Sequence, residues 1–175
     1  MSIPTQPRIL GWFSALLGLV MAGIVAHRII THATPERALL ADHAPFTGIV
    51  QSLPFAQGRL IISEQPHGNG FYGWYLTHNF WGWHDVTTSV VSTGLTPSEA
   101  PINWTIIPAK GQAMLWGVIE RPMKTVIFRQ DQQTFSCSVG PAGLWHLQLP
   151  HDVSVIGNNQ WFMRLRNGKI VPMYS

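Results

Sequence analysis

Little of this chain is charged. Asp, Glu, Lys and Arg make up 11 % of its 175 residues, where about 25 % is usual. The eleven Lys and Arg are scattered, which excludes the basic patch of a nucleic-acid-binding surface. Cysteine is scarcer still. Cys137 stands alone, so no intrachain disulfide can form and any folded domain must rest on its hydrophobic core. Catalytic signatures are missing too. There is no GxSxG elbow or Walker loop. The carboxylates Glu36, Glu64, Glu99 and Glu120 show no paired spacing. No internal repeat or low-complexity linker interrupts the chain.

Apolar and aromatic residues are plentiful. Hydrophobic residues make up 46 % of the chain and aromatics 11 %, which excludes the charged, aromatic-poor composition of a disordered protein. Polarity comes from Ser, Thr, Asn, Gln and eight His. Few charges on a folded domain have two readings: a face resting on a bilayer or partner, or an acidic exterior. In the second, net charge rises from +3 to +11 once all eight His are protonated.

Ile9 to Ala26, ILGWFSALLGLVMAGIVA, is an uncharged run of 18 residues. At about 1.5 Å per residue it reaches roughly 27 Å, close to the hydrocarbon thickness of a bilayer. Ile29 and Ile30 extend it if Arg28 snorkels to the headgroups. Trp12 and Phe13 suit an interfacial level, and Gly18 and Ala22 are spaced for close helix contact. The run shows no polar face, unlike an amphipathic helix of a soluble protein. It is longer than a signal-peptide core and has only Arg8 before it. The expectation is a cell-membrane, single-pass protein with its C-terminal domain outside. The alternative is secretion after cleavage behind Ala26 or Ala33.

Four segments follow: a short cytoplasmic tail (1–8), a transmembrane anchor (9–30), a short membrane-proximal helix (31–45) and an extracytoplasmic β domain (46–175). In the third, Thr34 suits an N-cap, Pro35 the first helical position and Glu36 the positive end of the dipole. His43-Ala44-Pro45 closes it. Strand-like alternation begins at Phe46. Strands are expected at Gly58–Ser63, Phe71–His78, Gly82–Ser92, 101–108, Gln112–Ile119, Lys124–Arg129, Gln133–Val139, Trp145–Leu149, 153–156, Gln160–Arg166 and 169–174. The stretch 65–70, QPHGNG, reads as a turn, and 96–99 has a capping-box pattern. Asn167-Gly168 predicts a two-residue hairpin with positive φ at both positions. Phe135, Cys137 and Val139 share one strand face; Trp145, Leu147 and Leu149 share another. The fold class is mainly β (α+β overall), an antiparallel β-meander or sandwich-like domain behind an N-terminal transmembrane helix.

The densest local signal is Phe71 to Trp83, FYGWYLTHNFWGW, with seven aromatics in thirteen residues. Most such rings build core. Trp81 and Trp83, with Asn79, His84 and Asp85 as polar neighbours, are the candidate binding residues, either for sugar rings or for the headgroup layer. His78 and His84, and His146 and His151, match no metal-ligand spacing, so neither a metal nor a cofactor is expected. An anchor, a β domain, Cys137 and a downstream Arg164 or Arg166 resemble a sortase-type transpeptidase in plan. That family's Thr-Leu-x-Thr-Cys strand end and Gly-His setting are not in this sequence. The other reading of Cys137 is a small buried hydrophobe.

A second resemblance covers most of residues 9–172. Its pieces are the anchor, Ala38-Leu39-Leu40, Leu60-Ile61-Ile62, Phe80-Trp81-Gly82-Trp83, Trp116-Gly117-Val118-Ile119, and Trp161-Phe162 through Asn167-Gly168-Lys169. In this order the chain resembles small uncharacterised single-pass membrane-anchored proteins of Gram-positive bacteria. The resemblance implies an extracytoplasmic β-rich domain and carries no catalytic residues with it. The expected function is a non-catalytic envelope module that senses, binds or scaffolds. The expected partners are the lipid bilayer through residues 9–30 and a membrane protein or cell-wall glycan.

Overall fold

A computed structural model describes residues 7–42, 46–93, 102–119, 123–130, 132–150 and 160–173, the side chains of 7–10 excepted. The expected strand at 153–156, the capping box at 96–99 and the helix stop at 43–45 lie outside these residues. Helix α1 (Pro7–Thr31) is continuous. From Gly11 to Thr31 it is long and apolar enough to cross a membrane, and none of these residues is buried among the described residues. Helix α2 (Pro35–Asp42) follows. The Thr34 hydroxyl accepts from the Arg37 amide at 3.3 Å, satisfying one of the first-turn N–H groups that would otherwise lack a partner.

Among the described residues, eleven strands form three antiparallel sheets: β1 (Gln51–Phe55), β2 (Gly58–Glu64), β3 (Gly70–Asn79), β4 (Gly82–Ser92), β5 (Asn103–Ala109), β6 (Gln112–Val118), β7 (Thr125–Gln130), β8 (Gln133–Ser138), β9 (Leu144–Leu149), β10 (Trp161–Arg164) and β11 (Ile170–Pro172). The first sheet is a plain meander, β1-β2-β3-β4. The middle sheet is β5-β6-β9 and the third is β11-β10-β7-β8. Two of these neighbours depart from a simple meander. β9 skips β7 and β8 to pair with β6, and β10 returns to β7. β4 still lies beside β5, and β8 beside β9, so the sheets follow one another in a roll.

Packing makes four layers. Leu60, Ile62, Phe71, Tyr75 and Val91 of the first sheet meet Ile107, Met114, Trp116 and Val118 of the middle sheet. The opposite face of the middle sheet, with Ala113, Leu115, Trp145, Leu147 and Leu149, meets Val126, Phe128, Trp161 and Met163 of the third. On the outside, Ala38 and Leu39 of α2 cover Ile61, Trp74 and Leu76. A strand covered on both faces has no use for alternation, and every residue of β6 after Gln112 is buried. Trp161 is the hub of the second interface, with its ring centroid 4.8 Å from Phe128, 5.0 Å from Trp104 and 5.5 Å from Trp145.

Local differences from the sequence reading have physical causes. β1 was not singled out as a strand. Pro54 breaks its pattern, and an edge strand tolerates proline because one row of its amides pairs with nothing. The Asn167-Gly168 hairpin has a three-residue loop. Gly168 N–H donates to Leu165 O at 3.0 Å, and of the pair only Gly168 has positive φ, +85°. That is the turn-plus-bulge form of a hairpin rather than the two-residue form.

Candidate functional site

The five candidate binding residues all lie at one end of the β3–β4 hairpin. Asn79 pairs with Gly82, leaving Phe80-Trp81 as the loop. Asn79 Oδ1 accepts from the Trp81 amide at 2.8 Å, a local bond that Asn side chains make readily at turns. The loop presents two rings, Phe80 at 81 % exposure and Trp81 at 45 %. They meet edge to face with centroids 5.2 Å apart.

Behind the loop, strand alternation divides the other candidates between two faces. Trp83 lies opposite His78 on the α2 side, their rings edge-on at 5.3 Å. Asp85 shares that side and accepts from the Thr88 hydroxyl at 2.8 Å. His84 lies on the inner side opposite Thr77, with Nε2 3.0 Å from the Thr77 hydroxyl. Between Tyr75 and Leu76 the register shifts, leaving Val86 as an extra residue that bends the strand. His84 and Asp85 are therefore neighbours in sequence that work on opposite faces.

The hairpin end is joined to the helix. Trp83 N–H donates to His32 O at 2.8 Å. This approach requires Gly82, since a methyl there would lie 2.4 Å from the His32 oxygen, and its φ of +102° suits glycine. His32 itself is buried. Its Nε2 faces Asp42 Oδ2 of α2 at 3.2 Å, and its Nδ1 lies 2.9 Å from the Thr31 hydroxyl and 3.1 Å from Arg28 O. One side chain thus holds α1 to α2, and its backbone holds α1 to the β3–β4 hairpin. A recess of about 440 Å³ at this joint is lined by Ile30, Thr31, Arg37, Leu40 and Ala41. His32, Phe80 and Leu40 are not among the candidate binding residues of the sequence analysis, where Phe80 and Leu40 enter only as parts of the resemblance. The available signal was an aromatic pair beside a glycine, where a hairpin loop usually carries Asn, Asp or Gly.

Cys137 sits elsewhere. It is partly buried in β8, packed against the core between the middle and third sheets. Burial pushes its thiol up to about 11, and backbone hydrogen bonds at His146 and Val126 only partly offset this. The thiol meets the backbone of His146, not its ring. The imidazole of His146 shares the Trp116 side of the middle sheet, and burial lowers its pKa. Arg164 pairs with Thr125, one position from the Val126 that pairs with Cys137, so alternation sends its side chain to the other face. Arg166 lies in the β10–β11 loop. Among the described residues, no three His, Cys, Asp or Glu gather where they could hold a metal ion. A second recess, about 320 Å³, is lined by Arg129, Phe162, Thr134 and four glutamines, with the guanidinium 4.4 Å from the Phe162 centroid.

Comparison with family models, with curated proteins and with solved structures gave no match.

Proposed function

We propose that this chain is a single-pass membrane-anchored module, its β domain outside the cell, that binds, senses or scaffolds at the envelope without catalysis. The observation that carries the reading is the joint at His32. A helix with the length and uncovered apolar surface of a membrane span runs directly into a buried residue that both α2 and the β3–β4 hairpin hold. A signal cut after Ala26 would leave His27 to Ala33 as a short stub. A cut after Ala33 would remove His32 and leave Asp42 without this partner. Both arguments favour retention of the helix. The domain is then docked at the end of its anchor, not hung on a linker.

A non-catalytic role is supported by the state of the one thiol. A nucleophile needs a base within hydrogen-bond reach and a group to orient it. Cys137 is held protonated by burial, with Arg164 on the other strand face. This favours the module over a sortase-like cysteine transpeptidase. The resemblance to Gram-positive membrane-anchored proteins agrees with an outside location. Protease treatment of intact cells tests the topology. Digestion of residues 34–175 with retention of the anchor fragment in the membrane is expected. Protection of the domain until lysis would invert the orientation, and a soluble, shortened chain in the medium would replace the anchor with a cleaved signal.

A further inference from the structure

We propose that the Phe80-Trp81 loop is a second membrane contact, seated in the headgroup layer of the leaflet that α1 leaves. The proposal rests on the anchor reading above and adds a site to it. It follows from position first. The apolar stretch of α1 ends at Ile30, and His32 lies two residues on, about 3 Å along the helix axis. The interfacial layer of a bilayer is roughly 5–8 Å deep on each side of the hydrocarbon. The Trp83 amide bond to His32 O fixes the hairpin end within that layer.

Chemistry gives the second argument. Tyr75, Trp74, Phe71, Trp116, Trp145 and Trp161 are all buried, so the fold has the means to cover its rings. Phe80 and Trp81 alone among the domain's described Phe and Trp residues are left exposed. The loop Asn79-Phe80-Trp81-Gly82 carries no charge, so its entry into the headgroup layer desolvates no ion. Trp with its polar N–H and apolar body is enriched at this depth. The third argument is continuity. Leu40, at 61 % exposure, and the recess between Ile30 and α2 extend the apolar surface around the same joint. Arg37 at that recess can meet a lipid phosphate, as cationic side chains do near headgroups.

The occupant is therefore the phospholipid surface already crossed by α1, and a protein partner capping the loop is the competing outcome. The test uses the full chain in phospholipid nanodiscs, with Cys137→Ser as background. A nitroxide is placed on single cysteines introduced as Leu17→Cys in α1, Phe80→Cys in the loop and His67→Cys. His67 is exposed in the turn at the far end of β3, about 30 Å from the loop at the usual strand rise. Collision with dissolved oxygen is compared with collision with a water-soluble nickel complex. The proposal expects the oxygen-to-nickel ratio at position 80 to exceed that at position 67 at least threefold. Equal ratios at 80 and 67 overturn it. A lipid-like ratio at 17 with a water-like ratio at 80 defeats only the loop contact. A water-like ratio at 17 defeats the anchor reading itself. As a second measurement that keeps an aromatic ring in place, benzoylphenylalanine replaces Phe80 in native membranes. Capture of phospholipid supports the proposal, whereas capture of protein alone, or of nothing, overturns it.

Discussion

The two ends of the β3–β4 hairpin use the same device for different purposes. Toward its far end, Gly73 leaves a gap that the Trp116 ring fills; a methyl there would lie 2.4 Å from the ring and 2.9 Å from Ser89 Oγ. The Ser89 hydroxyl accepts from the Trp116 indole at 3.0 Å and itself donates to Gly73 O at 3.2 Å. Toward the loop, Gly82 leaves a gap that the His32 carbonyl fills. One missing side chain closes the domain on its own core. The other closes it on the end of α1. The rings follow suit, covered at the first end and bare at the second. Burying a large aromatic or aliphatic side chain contributes about 1.5–3 kcal/mol. The fold forgoes this at Phe80 and Trp81, beside a membrane-length helix, and the proposed lipid contact rests on that contrast.

The largest effect expected from breaking this contrast is at Trp116. Trp116→Ala removes a fully buried ring and its hydrogen bond, and is expected to lower the unfolding free energy by about 3–5 kcal/mol. Trp81→Ala is expected to change it by no more than about 0.5 kcal/mol. Urea midpoints measured in detergent check both, and comparable losses would erase the distinction between the two ends.

The thiol sharpens the comparison from the core side. Raised from 9.0 to about 11, Cys137 at pH 8 holds about 100-fold less thiolate than it does in the unfolded chain, and thiolate is the reactive form. Alkylation of the native protein is expected to be slower than that of the urea-unfolded protein by at least that factor. Equal rates would return Cys137 to the list of candidate nucleophiles. The sign for stability follows from the direction: the contribution is full below pH 9 and is lost as pH rises toward 11.

Next in size is the pair of glycines. Gly73→Ala pushes a methyl against Trp116, at an expected cost of about 1–3 kcal/mol in global stability. Gly82→Ala places its methyl against the joint and is expected to free α1 from the domain. Its readout is faster amide exchange in α2 and at Trp83, with the core exchanging as before. A Gly82→Ala protein whose core unravels as readily as that of Gly73→Ala would mean that the two ends are not separate.

The smallest effect concerns acid. Burial lowers the His146 pKa, so the folded state binds this proton less readily than the unfolded chain. Its contribution is complete above about pH 6.5 and is lost as pH falls through the lowered value. His146→Gln is expected to flatten the pH dependence of stability in that window, measured by thermal unfolding between pH 7 and pH 4. An unchanged profile would show that other groups set it.

The parts legible in the sequence were those with local causes. Uncharged length marked α1, Thr34 and Pro35 marked the start of α2, and alternation marked the inward faces of β8 and β9. Pairing choices were not legible. Nothing near Leu144–Leu149 says that it skips β7 and β8 to join β6, because the reason is the apolar burial of β6 on both faces. The candidate residues Asn79, Trp81, Trp83, His84 and Asp85 are close in sequence, and the structure has them at one hairpin end. Their division between faces depends on the bulge at Val86, and the joint depends on a contact between Gly82 and a residue fifty positions earlier. Neither leaves a short-range trace.

The account's central claim is that the domain is docked on its anchor at His32. Amide-resolved hydrogen exchange of the full chain in nanodiscs tests it at the Trp83 N–H. The account predicts exchange as slow as that of the β3–β4 ladder, since that amide is bonded to His32 O. Exchange at the rate of an open turn, with the ladder still protected, would contradict it and leave the domain merely tethered.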